Sequence, residues 1–323
     1  MKKADRDKAG SKKLYLSHSE AATATAIGAV LLLGIIFLVL SIITIYYIPE
    51  WKSDAEYSHM DDVWEDMIYV KSKIDMMTII LASHPCSSDL KSSNPSPSVP
   101  QLVMSVPFHM GGGDIPLIGS IKSSGSLAVN KDKCKMEITV SHTDSNPPPI
   151  SIDCSTITYS SHNRYYTDQV FSYECGALIL NQGEQSSVML SPSILFSRTP
   201  TNKYNISINA VRIFQKPYYP PEVVSSNTKC SLCLTGLNYR PLYDNAGNIS
   251  KFVLTVNTAH PEAWEQYLNK IIGEANIKPG EYDLKPDGNN VILTFPSGTS
   301  TKGVERLYVS ETVVRAQPGI GLS

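Results

Sequence analysis

The feature that most constrains this chain is one uninterrupted apolar segment near its start, from Ala21 to Ile48, which contains no Asp, Glu, Lys or Arg. As a helix it would be about 40 Å long, whereas the hydrocarbon core of a bilayer is about 30 Å thick. A helix also satisfies its own backbone hydrogen bonds, as a single segment in lipid must do. Segment 21–48 is therefore predicted to be a transmembrane helix, with the lipid bilayer as its first partner.

Charged residues are distributed unequally on the two sides of segment 21–48. Residues 1–20 contain six Lys and Arg residues against three acidic ones, whereas residues 50–66 contain seven acidic residues and one Lys. Positively charged flanks stay in the cytoplasm, so residues 1–20 are predicted to be a cytoplasmic basic tail or leader and the C-terminal bulk to be extracellular. The apolar run also exceeds the roughly 7–15 residues of a cleaved signal peptide. A single-pass protein of the cell membrane is expected.

The rest of the sequence divides into four segments. Residues 49–84 are predicted to form an amphipathic stalk helix, with Pro49 producing a kink or short break at its start. Residues 85–100 are a Pro/Ser linker. Residues 101–222 alternate like short strands and predict an antiparallel, β-sandwich-like head, and residues 223–323 predict a small α+β module with a helix that begins at Pro261. The predicted fold class is α+β.

The apolar stripe of the stalk has three- and four-residue steps. Its predicted members are Tyr57, Met60, Trp64, Met67, Ile68, Ile74, Met77 and Leu81, with Lys71 as the polar exception. Such a stripe must be buried against the head of the same chain or against a neighbouring copy. The acidic cluster Asp61, Asp62, Glu65 and Asp66 lacks the spacing of a calcium loop and is expected to be a solvated helix face.

All six cysteines lie on the predicted extracellular side, and their even number favours disulfides whose pairing the sequence does not specify. They are Cys86, Cys134, Cys154, Cys175, Cys230 and Cys233. The last two have the spacing of half a zinc site, but a second such pair is absent, so a local disulfide or reduced thiols are favoured over a metal. Asn205 and Asn248 begin candidate N-glycosylation sequons.

Several classes of function lack support in the sequence. The formal net charge is −2, which provides no basic field for nucleic acid. No nucleophile elbow, zinc-protease helix or phosphate-binding loop is present. No enzymatic activity, cofactor or metal is therefore expected.

The stretch from Ser19 to Gly34 resembles the N-terminal segment of archaeal type IV pilin-like proteins, whose pattern is approximately Ser-Glu/Pro-x-Ile-Gly-x-Val-Leu-Leu followed by more apolar residues. The stretches from Ile48 to Asp66 and from Phe171 to Gln182 are similar to methanogen and haloarchaeal surface proteins of unassigned function. The resemblance implies removal of a basic leader by a peptidase and packing of the apolar helices in a filament core.

Within this resemblance, Glu20 matches the glutamate that offsets a neighbour's charged amino terminus. A carboxylate near a helix N-terminus also stabilises the helix dipole without any partner. Ala24, Gly28 and Gly34 are candidate small residues for close helix approach. One departure is that no Gly or Ala lies between Gly10 and Glu20, where a leader peptidase would have to cut.

Two functions are compatible with these features. The first is a membrane-anchored archaeal surface protein for filament or envelope assembly or adhesion, with copies of itself or other pilin-like or envelope proteins as partners. The alternative is a membrane-fixed extracellular module that binds a glycan, peptide or solute. The alternative would use tyrosines of the head, namely Tyr159, Tyr165, Tyr166, Tyr173, Tyr218 and Tyr219.

Overall fold

The computed structural model describes residues 9–83, 102–112, 114–115, 119–121, 123–142, 146–201, 203–214, 220–297 and 303–320. It confirms the α+β class, with a long N-terminal helical region followed by mainly antiparallel sheets. The chain forms two compact units, Met1–Asp54 and Ala55–Ser323. Cys86 and the predicted linker 85–100 lie outside the described residues, as do Tyr218 and Tyr219.

The N-terminal helical region consists of α1 (Ala9–Ile42), a π-helical turn (Ile43–Tyr47) and α2 (Ile48–Ser83). The backbone N–H of Ile48 donates to the carbonyl of Ile43, five residues earlier. Pro49 lacks an N–H and its ring would clash with a carbonyl of the preceding turn in a regular α-helix. The wider π-turn relieves that conflict, so the helix continues through Pro49. Of the predicted kink or short break, the break is therefore wrong.

In the part of the chain after Ser83 that the structure describes, seventeen strands and one further helix, α3 (Pro261–Glu274), follow. The strands of the first half are β1 (Leu102–His109), β2 (Asp114–Ile115), β3 (Gly119–Ser120), β4 (Ser124–Val129), β5 (Lys135–His142), β6 (Ile150–Asp153), β7 (Thr156–His162), β8 (Gln169–Glu174) and β9 (Ala177–Gln182). Those of the second half are β10 (Gln185–Leu190), β11 (Ser193–Arg198), β12 (Tyr204–Ile213), β13 (Glu222–Ser226), β14 (Lys229–Asn257), β15 (Asp283–Asp287), β16 (Asn290–Phe295) and β17 (Val304–Ile320).

Two large sheets account for most of these strands. The nine-stranded sheet has the order β11-β12-β17-β14-β16-β15, with β1 and β5 also pairing with β14 and β6 pairing with β5. Its β12–β17 pair is parallel and its other pairs are antiparallel. The six-stranded sheet is antiparallel with the order β10-β9-β8-β7-β4-β13, and β2 and β3 form a separate pair.

The nine-stranded sheet combines strands from both sides of the predicted boundary at residue 222. β14 pairs with β1 and β5 from the predicted head, and β17 pairs with β12. The expected C-terminal module is thus not separated from the head in the fold, and the two segments belong to one compact unit. The predicted helix at Pro261 is confirmed, with proline in its first turn and Trp264, Tyr267, Leu268 and Ile272 buried.

Apolar side chains form two cores in this unit. The α3 core contains the buried face of α3 together with residues such as Phe252 and Phe295 of the nine-stranded sheet. The α2 core contains residues from Met60 to Met77 of α2 and buried side chains of both sheets, including Phe108 and Tyr159. The second half of α2 is therefore an integral part of the β-rich unit, as the apolar stripe predicts for self-burial.

Candidate functional site

The apolar helix is the most distinctive functional feature of the chain. It passes the length and composition criteria for crossing a membrane, and its apolar stretch is exposed. Every described side chain from Thr23 to Ile42 is exposed, including large groups such as Leu31 and Phe37. Exposed apolar surface of this extent is unfavourable in water and marks contact with lipid or with other apolar surfaces.

Polar groups inside the apolar helix are satisfied within it. The hydroxyl of Ser41 donates to the carbonyl of Phe37 and that of Thr44 donates to the carbonyl of Leu40, each over 2.8 Å. Such back-bonding removes the penalty for placing a hydroxyl in hydrocarbon. The polar side chains of this region are therefore compatible with a lipid environment.

The predicted small residues lie on α1 with open surroundings. A side-chain carbon added at Gly28 or Gly34 would meet no described atom within 4 Å, and Ala24 is exposed. Ala24 and Gly28 are one turn apart and share a face, whereas Gly34 lies six residues further and on a different face. Glu20 lies on the backbone of α1, but its side chain is outside the described part of the chain.

A second group of residues fixes α2 within the β-rich unit. The carboxylate of Glu56 is fully buried and accepts hydrogen bonds from the backbone N–H groups of Arg164, Tyr165 and Tyr166. The two shortest, from Tyr165 and Tyr166 to Oε2, measure 2.7 Å. Consecutive backbone N–H groups that converge on one anion form a nest, so the carboxylate ties residues 164–166 of the loop between β7 and β8 to α2.

Ten residues further along α2, nearly three helical turns, Asp66 binds β1. Its Oδ2 accepts from the backbone N–H of His109 at 2.8 Å and from His109 Nδ1 at 3.0 Å. The Nε2 atom of His59 lies 3.0 Å from the carbonyl oxygen of His109, which can only accept, so Nε2 carries the proton. Burial raises the pKa of Asp66 against the opposing effect of these hydrogen bonds, and burial lowers the pKa of His59.

The sequence-based expectation for this part of the acidic cluster is therefore wrong. Asp66 is buried rather than solvated. Glu56 and His59 are buried as well, and the sequence does not predict their hydrogen bonds to the β-rich unit. The missed signal is their spacing, because all three stand beside apolar stripe residues at helical intervals. Within the described residues, no group of three or more His, Cys, Asp or Glu side chains could hold a metal ion.

The predicted disulfide cysteines have different environments. Cys134, Cys154 and Cys175 lie together, with Sγ of Cys134 and Cys175 3.0 Å apart, and all three are free thiols in this structure. Cys230 and Cys233 are also free and occupy β14 at positions i and i+3, so their side chains leave opposite faces of the strand. The local Cys230–Cys233 disulfide proposed from their spacing is therefore excluded by the strand geometry.

The three clustered thiols differ in acidity. Burial raises the pKa of Cys175, and the hydrogen bond with Cys154 raises that of Cys134. Burial also acts to raise the pKa of Cys154, but hydrogen bonds from the two other thiols lower it to about 6. Cys154 is thus the most acidic of the three.

The other predicted site residues do not converge. Tyr159 and Tyr173, expected in the alternative function to line a binding surface, are fully buried in the α2 core, whereas Tyr165 is exposed in the β7–β8 loop. Asn205 is half-buried on β12. Asn248 lies on β14 and its side chain is outside the described part of the structure.

Comparisons with protein-family models, with curated proteins and with solved structures give no match for this chain.

Proposed function

We propose that this chain is a membrane-anchored cell-surface structural protein of the pilin-like kind, which associates through its apolar helix with copies of itself or with other envelope proteins. The observation that carries the proposal is the helix Thr23–Ser83, which is apolar and exposed in its first part and which buries only one face, from Met60 to Leu81, in the β-rich unit. The first part requires lipid or neighbouring apolar helices. The resemblance of residues 19–34 to archaeal pilin-like segments supports an assembly or adhesion role.

The proposed topology places residues 1–20 in the cytoplasm and the β-rich unit outside the cell. The basic residues before Ala21 and the acidic residues after Pro49 support this orientation. Tyr46, Tyr47 and Trp51 also support it, because they are exposed near the end of the apolar stretch, where an aromatic belt marks a membrane interface.

Topology is tested with two single-cysteine variants on opposite sides of the apolar stretch, Ser11→Cys and Asp54→Cys, in a chain that also carries Cys86→Ser and Cys233→Ser. Intact cells are treated with a membrane-impermeant maleimide before and after permeabilisation. We expect labelling of Asp54→Cys in intact cells and of Ser11→Cys only after permeabilisation. The parent chain without either added cysteine measures the background from the buried thiols, and a reversed labelling order would contradict the orientation.

Assembly is tested in the same parent chain with cysteines placed on the apolar helix. Gly28→Cys reports on the face that it shares with Ala24, and Gly34→Cys is the matched control on a different face. Oxidative cross-linking in native membranes should give covalent dimers through the single added thiol, with a higher yield for Gly28→Cys. Monomers alone from both variants, at a protein level where the parent chain is recovered in the membrane, would contradict self-association.

A further inference from the structure

Three strand connections converge at the clustered thiols, and each supplies one sulfur. Cys134 precedes β5, Cys154 follows β6 and Cys175 lies between β8 and β9. All three side chains are at most 2 % exposed. Cys134 and Cys175 are 41 positions apart in the sequence. The connections thus bring together sulfurs that are well separated along the chain.

The backbone at Cys175 is unusual for its residue type. Cys175 has φ +50° and Gly176 has φ +88° in the two-residue turn that joins β8 to β9. Turns with two left-handed residues favour Asn-Gly or Asp-Gly, because other side chains are strained there. The turn instead carries a cysteine that is buried. The turn's own preference for Asn or Asp does not explain a cysteine at this position, whereas the contact of its sulfur with Cys134 does.

We propose that Cys134 and Cys175 form a disulfide that joins the two large sheets, and that Cys154 remains a thiol beside it. Sγ of Cys134 and Cys175 are already 3.0 Å apart, and a bond requires an approach to about 2.05 Å. Cys134 adjoins β5 of the nine-stranded sheet, whereas Cys175 lies in a turn of the six-stranded sheet. The bond therefore covalently connects two sheets that are distinct in their hydrogen bonding.

One of the two competing pairs, Cys134 and Cys154, would connect neighbours that are already held together; a bond from Cys154 to Cys175 is distinguished from the proposed one by the test below. The backbone N–H of Cys154 donates to the carbonyl of Cys134 at 2.8 Å, next to the β5–β6 pair. A disulfide stabilises mainly by restricting the unfolded chain, and it does so more for a longer loop. A bond within this hairpin therefore stabilises the fold less than a bond between Cys134 and Cys175. For the loop from Cys134 to Cys175 the chain-entropy relation gives on the order of a hundred- to a thousand-fold increase in the folding equilibrium constant.

The oxidant is a small disulfide such as oxidised glutathione. A thiolate of the cluster attacks one sulfur of the small disulfide and releases one thiol; the second cluster thiolate then attacks the mixed disulfide and releases the other. Two protons and two electrons leave the protein pair, and the small disulfide is reduced to two thiols. The burial of the cluster requires transient opening or incomplete folding for this reaction, and it protects the finished bond from reductants.

The test uses the full-length chain in detergent, held in a buffer of reduced and oxidised glutathione, and so does not depend on the proposed membrane topology. Free thiols are then alkylated in denaturant and the protein is digested with trypsin without reduction. Cleavage after Lys133, Lys135, Arg164 and Arg198 places the three cysteines on three different peptides. We expect the dipeptide 134–135 linked to peptide 165–198, and the cysteine of peptide 136–164 alkylated.

Two variants separate the pairing from general thiol oxidation. Cys154→Ser should retain the 134–175 linkage, whereas Cys134→Ser should lose it. The proposal is overturned if all three peptides of the native chain are alkylated after the glutathione treatment, or if peptide 136–164 is found in the cross-link. Elemental mass spectrometry provides a further check. Release of one metal ion per chain when the thiols are alkylated would also overturn the proposal.

Discussion

Replacing Glu56 with glutamine is expected to destabilise the β-rich unit and to release the β7–β8 loop. The carboxylate is fully buried and accepts hydrogen bonds from three consecutive backbone N–H groups, those of residues 164–166. A glutamine retains one acceptor oxygen, but its NH2 group opposes one of the donors and the negative charge is lost. Hydrogen bonds to a charged group contribute about 1.5–3 kcal/mol each, against about 0.5–1.5 kcal/mol for neutral ones.

The expected loss of stability follows from these contacts. Two bonds that become neutral lose about 1–1.5 kcal/mol each, whereas water at the exposed loop can replace most of the third bond, so Glu56→Gln should lower the free energy of unfolding by about 2–4 kcal/mol. Glu56→Ala leaves all three donors unpaired. Because Arg164 and Tyr165 are exposed and water reaches the loop, about 3–5 kcal/mol is expected for that variant. At about 2–4 °C per kcal/mol for a domain of 150–250 residues, Glu56→Gln should lower Tm by roughly 5–15 °C.

Thermal unfolding of the full-length chain in detergent, followed by circular dichroism, measures this shift. Hydrogen exchange of the amides of residues 164–166 provides a local readout, and these amides should lose protection in both variants. Glu65→Gln is the matched control, because Glu65 is an exposed carboxylate on the same helix and should change stability by less than about 0.5 kcal/mol. Equal Tm values for Glu56→Gln and Glu65→Gln, with unchanged exchange at the loop, would refute the reasoning.

Three further outcomes are expected in urea unfolding of the same preparation. Met67→Ala, at a fully buried position of α2, should lower the free energy of unfolding by about 2–5 kcal/mol. Met76→Ala, at an exposed position of the same helix, should lower it by less than about 0.5 kcal/mol. Equal losses would contradict the burial of α2. Gly125→Ala should lose about 1–3 kcal/mol, because its methyl group would collide with the ring and hydroxyl of Tyr159; a neutral effect would mean that Tyr159 can move aside. Burial raises the pKa of Glu174 to about 7 from 4.5, so the folded state binds the proton more tightly. The resulting stabilisation is fully present below about pH 4.5 and is lost as the pH rises to 7 and above, with a loss of up to about 3 kcal/mol in the free energy of unfolding. Glu174→Gln should flatten this decline, and a pH profile identical to that of the unmodified chain would exclude Glu174 as its source.

Features encoded in contiguous sequence are the ones that sequence reasoning predicts well. The apolar helix after Ala21 and the helix at Pro261 depend on local composition and a 3.6-residue period, and the structure contains both helices. The burial of the stripe that includes Met67 and Ile74 follows from the same period, and the structure shows that residues of the same chain cover it. The π-turn before Pro49 is harder to predict, because proline in a helical pattern equally favours a break.

Long-range pairing accounts for the main difference in the fold. The division expected at residue 222 rests on a change of local pattern, yet β14 pairs with strands from both sides of it. Strand partners that are a hundred or more residues apart leave no local signature. The strands before and after the expected boundary at residue 222 therefore belong to one compact unit.

The buried polar groups were missed for a different reason. Charged residues on a helix are normally solvated, so Glu56 and Asp66 would be assigned to the outer face unless the backbone donors of the head were known. Those donors belong to loop 164–166 and to His109, both distant in sequence. The cysteines show the same limitation: their number suggests disulfides, but only the fold brings Cys134 and Cys175 together.

The position of β17 has a consequence for biosynthesis. This strand, Val304–Ile320, lies inside the nine-stranded sheet between β12 and β14 rather than at an edge. While the ribosome is still making residues before 304, the flank of β12 that later receives β17 has no strand to pair with. The central part of the sheet therefore closes only after residue 320 has been synthesised, and until then β12 presents an unpaired edge to other chains.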